Sequence, residues 1–248
     1  FFSLIILLCC TSVACNDFLT EYSHDQAYVQ SYSDLDELII GSGYMKCTGT
    51  HDYTYYSTAK ETYYPYVHFM ADETEVRNTG TYDYYGEDFL KMFYGFYTWQ
   101  KDVDKDHEGT VGWTENQDWI NLYKHINITN IILSQIDNQT IQTENDQQNV
   151  NRIKGEAHFL RGAYYFVLAN LYGKPYSPTS AKTDLAVPIK LTKNIEDKVY
   201  TRATVEKTYE QVLEDLLTAE KHLKGQSRKS VTRAGHTATC LLLSRVYL

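Results

Sequence analysis

The chain has 248 residues, a formal net charge of -9 and 43% hydrophobic residues. This length and apolar content are sufficient for a buried core. The acidic charge disfavours binding to nucleic acid or to anionic lipid surfaces, because both repel a negatively charged protein.

The first segment, residues 1–14, is an uncharged apolar run typical of a secretory signal peptide and too short for a permanent membrane span. Small residues at Ser12 and Ala14 precede Cys15, as in a lipobox, where the peptide is removed and the cysteine thiol becomes acylated. We therefore expect a signal peptide over 1–14 and lipid attachment at Cys15. The alternative is an ordinary secretory signal with an incidental cysteine. Because neither Met nor a basic residue precedes the run, we expect the N terminus to be incomplete.

A polar stretch, residues 15–30, follows and is expected to form an extended tether to one domain over 31–248. The sequence from Ser33 to Asp36 has the form of a capping box, and it predicts the start of a short helix that is stopped by Gly41 and Gly43. The inward positions of this helix are Leu35, Leu38 and Ile39.

The region from 48 to 112 holds 11 of the 23 tyrosines and shows little periodicity beyond a short predicted helix near 89–97. The acidic stretch from Asp102 to Gly109 resembles a calcium loop. It departs from the EF-hand pattern, because His107 stands in place of the glycine and Trp113 in place of the bidentate glutamate. We predict a solvated acidic loop and no metal, with a calcium site as the alternative.

Two long helices are predicted next. A capping box at Thr114 begins the first helix, which continues to Ile136. A polar loop over 138–149 leads to the second helix, which ends at Gly173. The inward positions are Trp119, Leu122, Ile126, Thr129, Leu133 and Ile136 in the first helix, and Ala157, Leu160, Tyr164, Leu168 and Leu171 in the second.

The C-terminal part predicts two more helices. Thr204 caps the third, and the fourth begins at Ala234 and is still helical where the sequence stops at Leu248. The third helix directs Val205, Tyr209, Val212, Leu216, Ala219 and Leu223 inward. Helix pairs of this length predict a mostly α-helical, tetratricopeptide-like array with long Tyr-rich loops.

The segment RIKGEAHFLRGAYYFVLANLYG, residues 152–173, closely resembles the signature helix of the SusD/RagB family, lipoproteins that take up nutrients at the outer membrane of Bacteroidetes-type bacteria. Three further blocks resemble family helices in the same order. They are Trp119, Tyr123, Ile126 and Asn130; then 202–205 with Tyr209, Asp215 and Leu216; and last Arg233, Ala238 and 243–248. Full family members are about twice as long, so the resemblance implies a domain that is incomplete at its C terminus.

The resemblance implies a surface-facing, lipid-anchored outer-membrane protein that binds oligosaccharide or peptide. It also implies a partner, a SusC-like TonB-dependent outer-membrane barrel over which the lipoprotein sits as a lid, and it implies no cofactor. A helical-repeat scaffold that docks proteins and binds no nutrient is the alternative.

The aromatic residues near the middle of the chain are our own candidates for ligand contact, since no family motif marks them. Aromatic faces can stack on the C–H faces of sugar rings. The alternative is that these side chains pack a core beneath long loops. The candidate ligand-binding residues are Tyr82, Tyr84, Tyr85, Trp99 and Trp113.

Residues that carry catalytic chemistry do not form a known pattern. The chain has no HExxH, GxSxG, Walker or GxGxxG motif, and Cys47 and Cys240 show no metal-ligand spacing, although they could form a disulfide. We interpret Glu156 and Arg161 as structural hydrogen-bonding residues, and we disfavour an enzyme. The third hypothesis is a hydrolase that uses carboxylates among Asp72, Glu73 and Glu75.

Overall fold

The computed structural model describes residues 29–45, 70, 95–102, 117–194 and 196–248. These residues form helices, one π-helical turn and a single isolated antiparallel bridge between Leu185 and Thr204. The mostly α-helical class predicted from the sequence is confirmed. None of the helices within these ranges is long and apolar enough to cross a membrane.

Helix α1, Tyr32–Leu38, continues directly into a π-helical turn, Ile39–Gly43. Ser31 is its N-cap, and the Asp34 carboxylate accepts the backbone N–H of Ser31 at 2.9 Å. The predicted capping box at Ser33 was therefore wrong by two residues, whereas the helical turns pass through Gly41 and end at Gly43, the second of the two predicted stops. Gly43 is needed where the turn closes, because a Cβ there would lie 2.9 Å from Cγ1 of Ile39.

Helix α2, Gln117–Ile136, packs against helix α3, Glu144–Tyr172. The predicted loop over 138–149 was too long, since α3 begins at Glu144. Its N-cap is Thr143, whose side chain accepts the N–H of Asp146. The short connection favours antiparallel packing. At the other end, Gly173 is the C-cap, as predicted.

Helix α4, Val205–Leu223, is capped by Thr204, whose hydroxyl accepts the N–H of Lys207, as predicted. Helix α5, His236–Val246, follows a turn in which Gly225 has a φ of 75°, a left-handed conformation that favours glycine.

Within the described residues, the main apolar core joins all five helices, and each helix packs on the next. Helix α3 is central because it contacts α1, α2, α4 and α5. It approaches α4 closely at Gly155 and Gly162, where any larger side chain would meet Leu223 or Leu216. The fully enclosed core side chains are Leu35, Ile39, Leu122, Ile126, Ile132, Ile136, Ile153, Tyr165, Leu168, Leu216 and Leu223.

Candidate functional site

Trp99 is the one ligand-contact candidate within the described ranges, and it lies in an unusual turn. Residues 95–97 are helical. The N–H of Gln100 donates to the carbonyl of Gly95 at 2.9 Å, and the N–H of Trp99 donates to the carbonyl of Phe96 at 3.1 Å. These two bonds form a Schellman motif, with Trp99 at the position that usually holds glycine.

The backbone of Trp99 has a φ of 55°, the only positive φ among the non-glycine residues that the structure describes. A left-handed conformation costs a side-chain-bearing residue roughly 1–2 kcal/mol. The indole is nevertheless 67% exposed, so its own burial does not offset that cost. Strained, exposed residues of this kind are concentrated at binding sites, and a flat indole face directed to solvent can stack on an apolar ligand face.

The other sequence candidates lie outside the described residues. Of the predicted acidic loop, only Asp102 is within them. The candidates outside the described residues are Cys15, Tyr82, Tyr84, Tyr85 and Trp113.

Two carboxylates and two guanidinium groups alternate in a buried ion network beside α3. Arg152 donates to both oxygens of Asp36 at 3.0 Å and to Oε1 of Glu156 at 2.8 Å. Arg233 donates to Asp36 at 2.5 Å and to Oε2 of Glu156 at 2.8 Å. Tyr44 donates its hydroxyl to the same Glu156 oxygen at 2.7 Å. The network ties α1, α3 and the segment before α5 together.

The charges in this network shift two pKa values in opposite directions. Partial burial by itself raises the pKa of Asp36, but hydrogen bonds and charge from Arg233 and Arg152 outweigh it and lower the pKa to about 2. Burial, and then the neighbouring Glu156 charge, raises the pKa of the Tyr44 hydroxyl. Asp36 therefore stays ionised, while Tyr44 remains a hydrogen-bond donor.

A second ion network joins α2, α3 and α4. Arg161 donates to both oxygens of Asp215, at 2.7 and 2.9 Å, and to the side-chain oxygen of Asn130 at 2.9 Å. His158 lies 2.8 Å from the same carboxylate. Burial raises the pKa of Asp215, but the hydrogen bonds from His158 and Arg161 outweigh it and lower the pKa overall. As predicted, Glu156 and Arg161 hydrogen-bond side chains of neighbouring helices and segments.

Two tyrosines of α3 hold the π-helical turn and the segment between α3 and α4 against the helices. The hydroxyl of Tyr164 donates to the carbonyl of Gly43 at 2.6 Å. The hydroxyl of Tyr165 donates to the carbonyl of Lys190 and accepts the N–H of Lys190, both at 2.8 Å. Much of the signature-like segment thus holds other parts of the fold in place.

A further group of polar side chains was missed at the sequence level. Glu220 of α4 lies close to His236 and Cys240 of α5. The four-residue spacing of His236 and Cys240 was the available signal, because it puts two metal-binding side chains on one face once the segment is known to be helical. The carboxylate partner comes from another helix and leaves no local pattern.

A family model and several solved structures match this chain. The SusD-like family model, described as starch-binding and associating with the outer membrane, matches residues 62–248. A SusD superfamily structure from Bacteroides thetaiotaomicron is 24% identical, with a TM-score of 0.57, and the match covers 88% of this chain and 42% of that one. A structure described as a putative sugar binding protein from Bacteroides vulgatus is 22% identical, with a TM-score of 0.61, and coverage of 90% and 43%.

A SusD superfamily structure from Bacteroides fragilis is 23% identical, with a TM-score of 0.61, over 89% of this chain and 46% of that one. At these identities the likeness shows the fold. The chain spans less than half the length of each of these three structures. No curated protein matches the chain.

Proposed function

The chain belongs to the SusD-like family, whose model is described as starch-binding and associating with the outer membrane, and from that premise we propose that it captures glycan at the cell surface. In this proposal it is a non-catalytic lipoprotein held by acyl chains on Cys15. It delivers oligosaccharide, or peptide as a second ligand class, to a SusC-like TonB-dependent outer-membrane transporter.

The observation that carries ligand capture is Trp99, an exposed indole in a strained left-handed turn. Tyr97, two residues before Trp99 in the same turn, is 39% exposed. A second aromatic ring close in sequence is therefore accessible from solvent. Stacking of a sugar ring on the indole would remove apolar surface of both groups from water, and this favours binding. Tyr82, Tyr84, Tyr85 and Trp113 are proposed as further ligand-contact residues.

The test is titration of the purified chain against maltooligosaccharides, a panel of other polysaccharides and peptides, by calorimetry. We expect Trp99→Ala to weaken binding of the preferred ligand by about tenfold or more, because an aromatic contact contributes roughly 0.5–1.5 kcal/mol beyond its apolar area. Tyr247→Ala, at an aromatic side chain that is 65% exposed in another part of the chain, is the matched control and is expected to bind normally. Failure of the unaltered chain to bind any member of the panel would refute capture.

Anchoring and delivery need separate experiments. Cys15→Ser is expected to move the protein from the membrane fraction to the soluble fraction, since two or three acyl chains are what hold it.

Extraction in mild detergent is expected to recover a large barrel protein with the unaltered chain. Recovery of the lipoprotein alone would contradict the transporter partner. Release of reducing sugar by the pure protein would contradict the non-catalytic role.

A scaffold that docks proteins and binds no nutrient is the second candidate, favoured by exposed leucines on the last two helices. Leu217 of α4 is 49% exposed and Leu241 of α5 is 66% exposed. Substituting alanine at both Trp99 and Trp113 separates the two functions. Lost ligand binding with retained barrel association supports capture, and the reverse result supports scaffolding.

A further inference from the structure

We propose that Glu220, His236 and Cys240 form a binding site for Zn²⁺ that joins α4 to α5. The three side chains each offer one ligand atom, and these atoms all lie within 4.8 Å of one another. Nε2 of His236 lies 2.7 Å from Oε1 of Glu220 and 3.8 Å from Sγ of Cys240. The site is separate from Trp99 and does not depend on the proposed glycan binding.

The spacing of the ligand atoms is close to what a tetrahedral zinc ion needs. Zn–S bonds of about 2.3 Å and Zn–N bonds of about 2.0–2.1 Å put sulfur and nitrogen roughly 3.6 Å apart, against 3.8 Å here. Nitrogen and oxygen ligands stand roughly 3.4 Å apart in such a site. The His236–Glu220 contact therefore has to widen by less than 1 Å. The imidazole also has to turn so that Nε2 alone faces Sγ, because Sγ lies 4.0 Å from Nδ1 as well. Side-chain rotation at the two partly exposed positions allows both changes.

The chemistry of the three groups favours zinc over calcium or magnesium. Thiolate and imidazole are ligands that zinc prefers, whereas calcium and magnesium take oxygen ligands. On binding, Cys240 releases its thiol proton to solvent, and His236 donates the Nε2 lone pair while its proton rests on Nδ1. One thiolate and one carboxylate then balance the charge of the ion.

Two of the ligands lie at fixed positions on one helix, and the site is accessible from solvent. His236 and Cys240 are one helical turn apart on α5, and Gly235 caps that helix at its first turn. The side chains of His236 and Glu220 are 37% and 30% exposed, so an ion and a water molecule as fourth ligand can enter. Cys240 is a free cysteine, so its sulfur is available for the ion.

The experiment uses the purified full chain without a polyhistidine tag, kept reduced, and titrated with Zn²⁺ by calorimetry and with Co²⁺ by absorption spectroscopy. We expect one equivalent of Zn²⁺ to bind and to raise the melting temperature, since a ligand that binds only the folded state stabilises it. Co²⁺ is expected to give a thiolate-to-metal charge-transfer band. Cys240→Ser is expected to abolish that band and to weaken Zn²⁺ binding by about a hundredfold or more. Loss of a residue that only supports a metal ligand weakens metal binding by about 10–100-fold, and loss of a ligand itself is expected to weaken it at least as much.

Matched variants separate this site from adventitious binding. Cys47→Ser keeps Cys240 and is expected to retain the band. Glu214→Gln alters an exposed carboxylate of the same helix α4 and is expected to bind Zn²⁺ normally, whereas Glu220→Gln is expected to bind it more weakly. Absence of saturable Zn²⁺ binding to the unaltered chain, or binding by Cys240→Ser as tight as that of the unaltered chain, would overturn the proposal.

Discussion

Arg161 and Asp215 are buried side chains of opposite charge, and each is the main partner of the other. Asp215 has no solvent exposure, and Arg161 is 7% exposed. Enclosing two ions costs hydration free energy that their attraction only roughly offsets, but removing one partner leaves the other buried without compensation. The pair therefore adds little net stability, whereas the loss of either partner is strongly destabilising.

The first prediction is that Arg161→Ala destabilises the protein by about 3–5 kcal/mol, the usual effect of leaving a buried charge unpaired. Urea denaturation followed by circular dichroism measures it. The control is Lys154→Ala, which removes a surface ion pair to Asp137, whose side chain is 66% exposed, and is expected to cost at most about 1 kcal/mol. Equal losses in both variants would contradict the prediction.

The second prediction concerns acid stability and Asp36. Its folded pKa, about 2, lies below the usual carboxyl value of 3.8. The folded state therefore binds the proton less readily than the unfolded chain does. The stability from this group is fully present above about pH 4 and is lost as the pH falls towards 2. Asp36→Asn is expected to reduce the slope of unfolding free energy against pH in this window.

The slope in that variant is not expected to vanish, because the pKa values of Asp146, Asp184 and Asp215 are lowered as well. Asp137→Asn, at an exposed carboxyl group, is the control and is expected to keep the slope of the unaltered chain. Unfolding measured by chemical denaturation at half-unit pH steps provides the data. An Asp36→Asn slope as steep as that of the control would refute the assignment.

The misplaced capping box of α1 shows what a local pattern cannot decide. Ser31 with Asp34 and Ser33 with Asp36 both have the spacing of a capping box. Asp36 is unavailable for capping because Arg152 and Arg233 hold its carboxylate. Since these arginines lie 116 and 197 residues away, the choice depends on tertiary structure that no local window contains.

At the scale of helices, the predicted inward faces are correct where apolar residues recur at steps of three and four. Leu122, Ile126 and Ile136 of α2 are buried, as are Val212 and Leu216 of α4. The beginning of α3 was missed because its first turn is polar and gives no apolar period. The signal present there was Thr143 with Asp146, a capping-box pair within a run that was interpreted as a loop.

The third prediction concerns the close approach of α3 and α4. A Cβ at position 155 would lie 2.6 Å from Cγ and 2.9 Å from Cδ2 of Leu223, which is buried in the core. Overpacking of this kind costs about 1–3 kcal/mol, which exceeds the roughly 1 kcal/mol that alanine gains over glycine within a helix. Gly155→Ala is therefore expected to lower stability, measured by thermal and urea unfolding.

Gly41→Ala is the matched control, since a Cβ at that position meets no atom within 4 Å. It is expected to leave stability unchanged or to raise it by up to about 1 kcal/mol, because alanine restricts the unfolded chain more than glycine does. The opposite order of the two variants would show that the α3–α4 contact is loose enough to accept a methyl group.

At the scale of the whole molecule, Arg233 links the two ends of the described structure, since it pairs with Asp36 just after the start of α1 and lies just before α5. The fourth prediction is that Arg233→Ala increases amide hydrogen exchange in both 32–43 and 236–246. The control is Arg245→Ala, which removes an exposed arginine of α5 and is expected to leave exchange in 32–43 unchanged. Faster exchange at one end alone would contradict the linking role.

The fold was more predictable from the sequence than the candidate site was. Helices can be recognised from local sequence, through capping residues and through apolar residues that recur with a period of 3.6. A binding surface depends on which side chains remain exposed after packing, and Trp99 is the one aromatic candidate whose exposure the described residues reveal. The cluster of Glu220, His236 and Cys240 was missed for the same reason, because its members become neighbours only when α4 and α5 pack together.

The contact between Asp36 and Arg233 joins residues that are 197 positions apart. A ribosome makes the chain from its N terminus, so Asp36 exists long before Arg152 or Arg233 is added. Closing so long a loop carries a large entropic cost, which slows folding that depends on it. Helix α1 is therefore synthesised early, but its contact with Arg233 forms only after nearly all of the described sequence has been made.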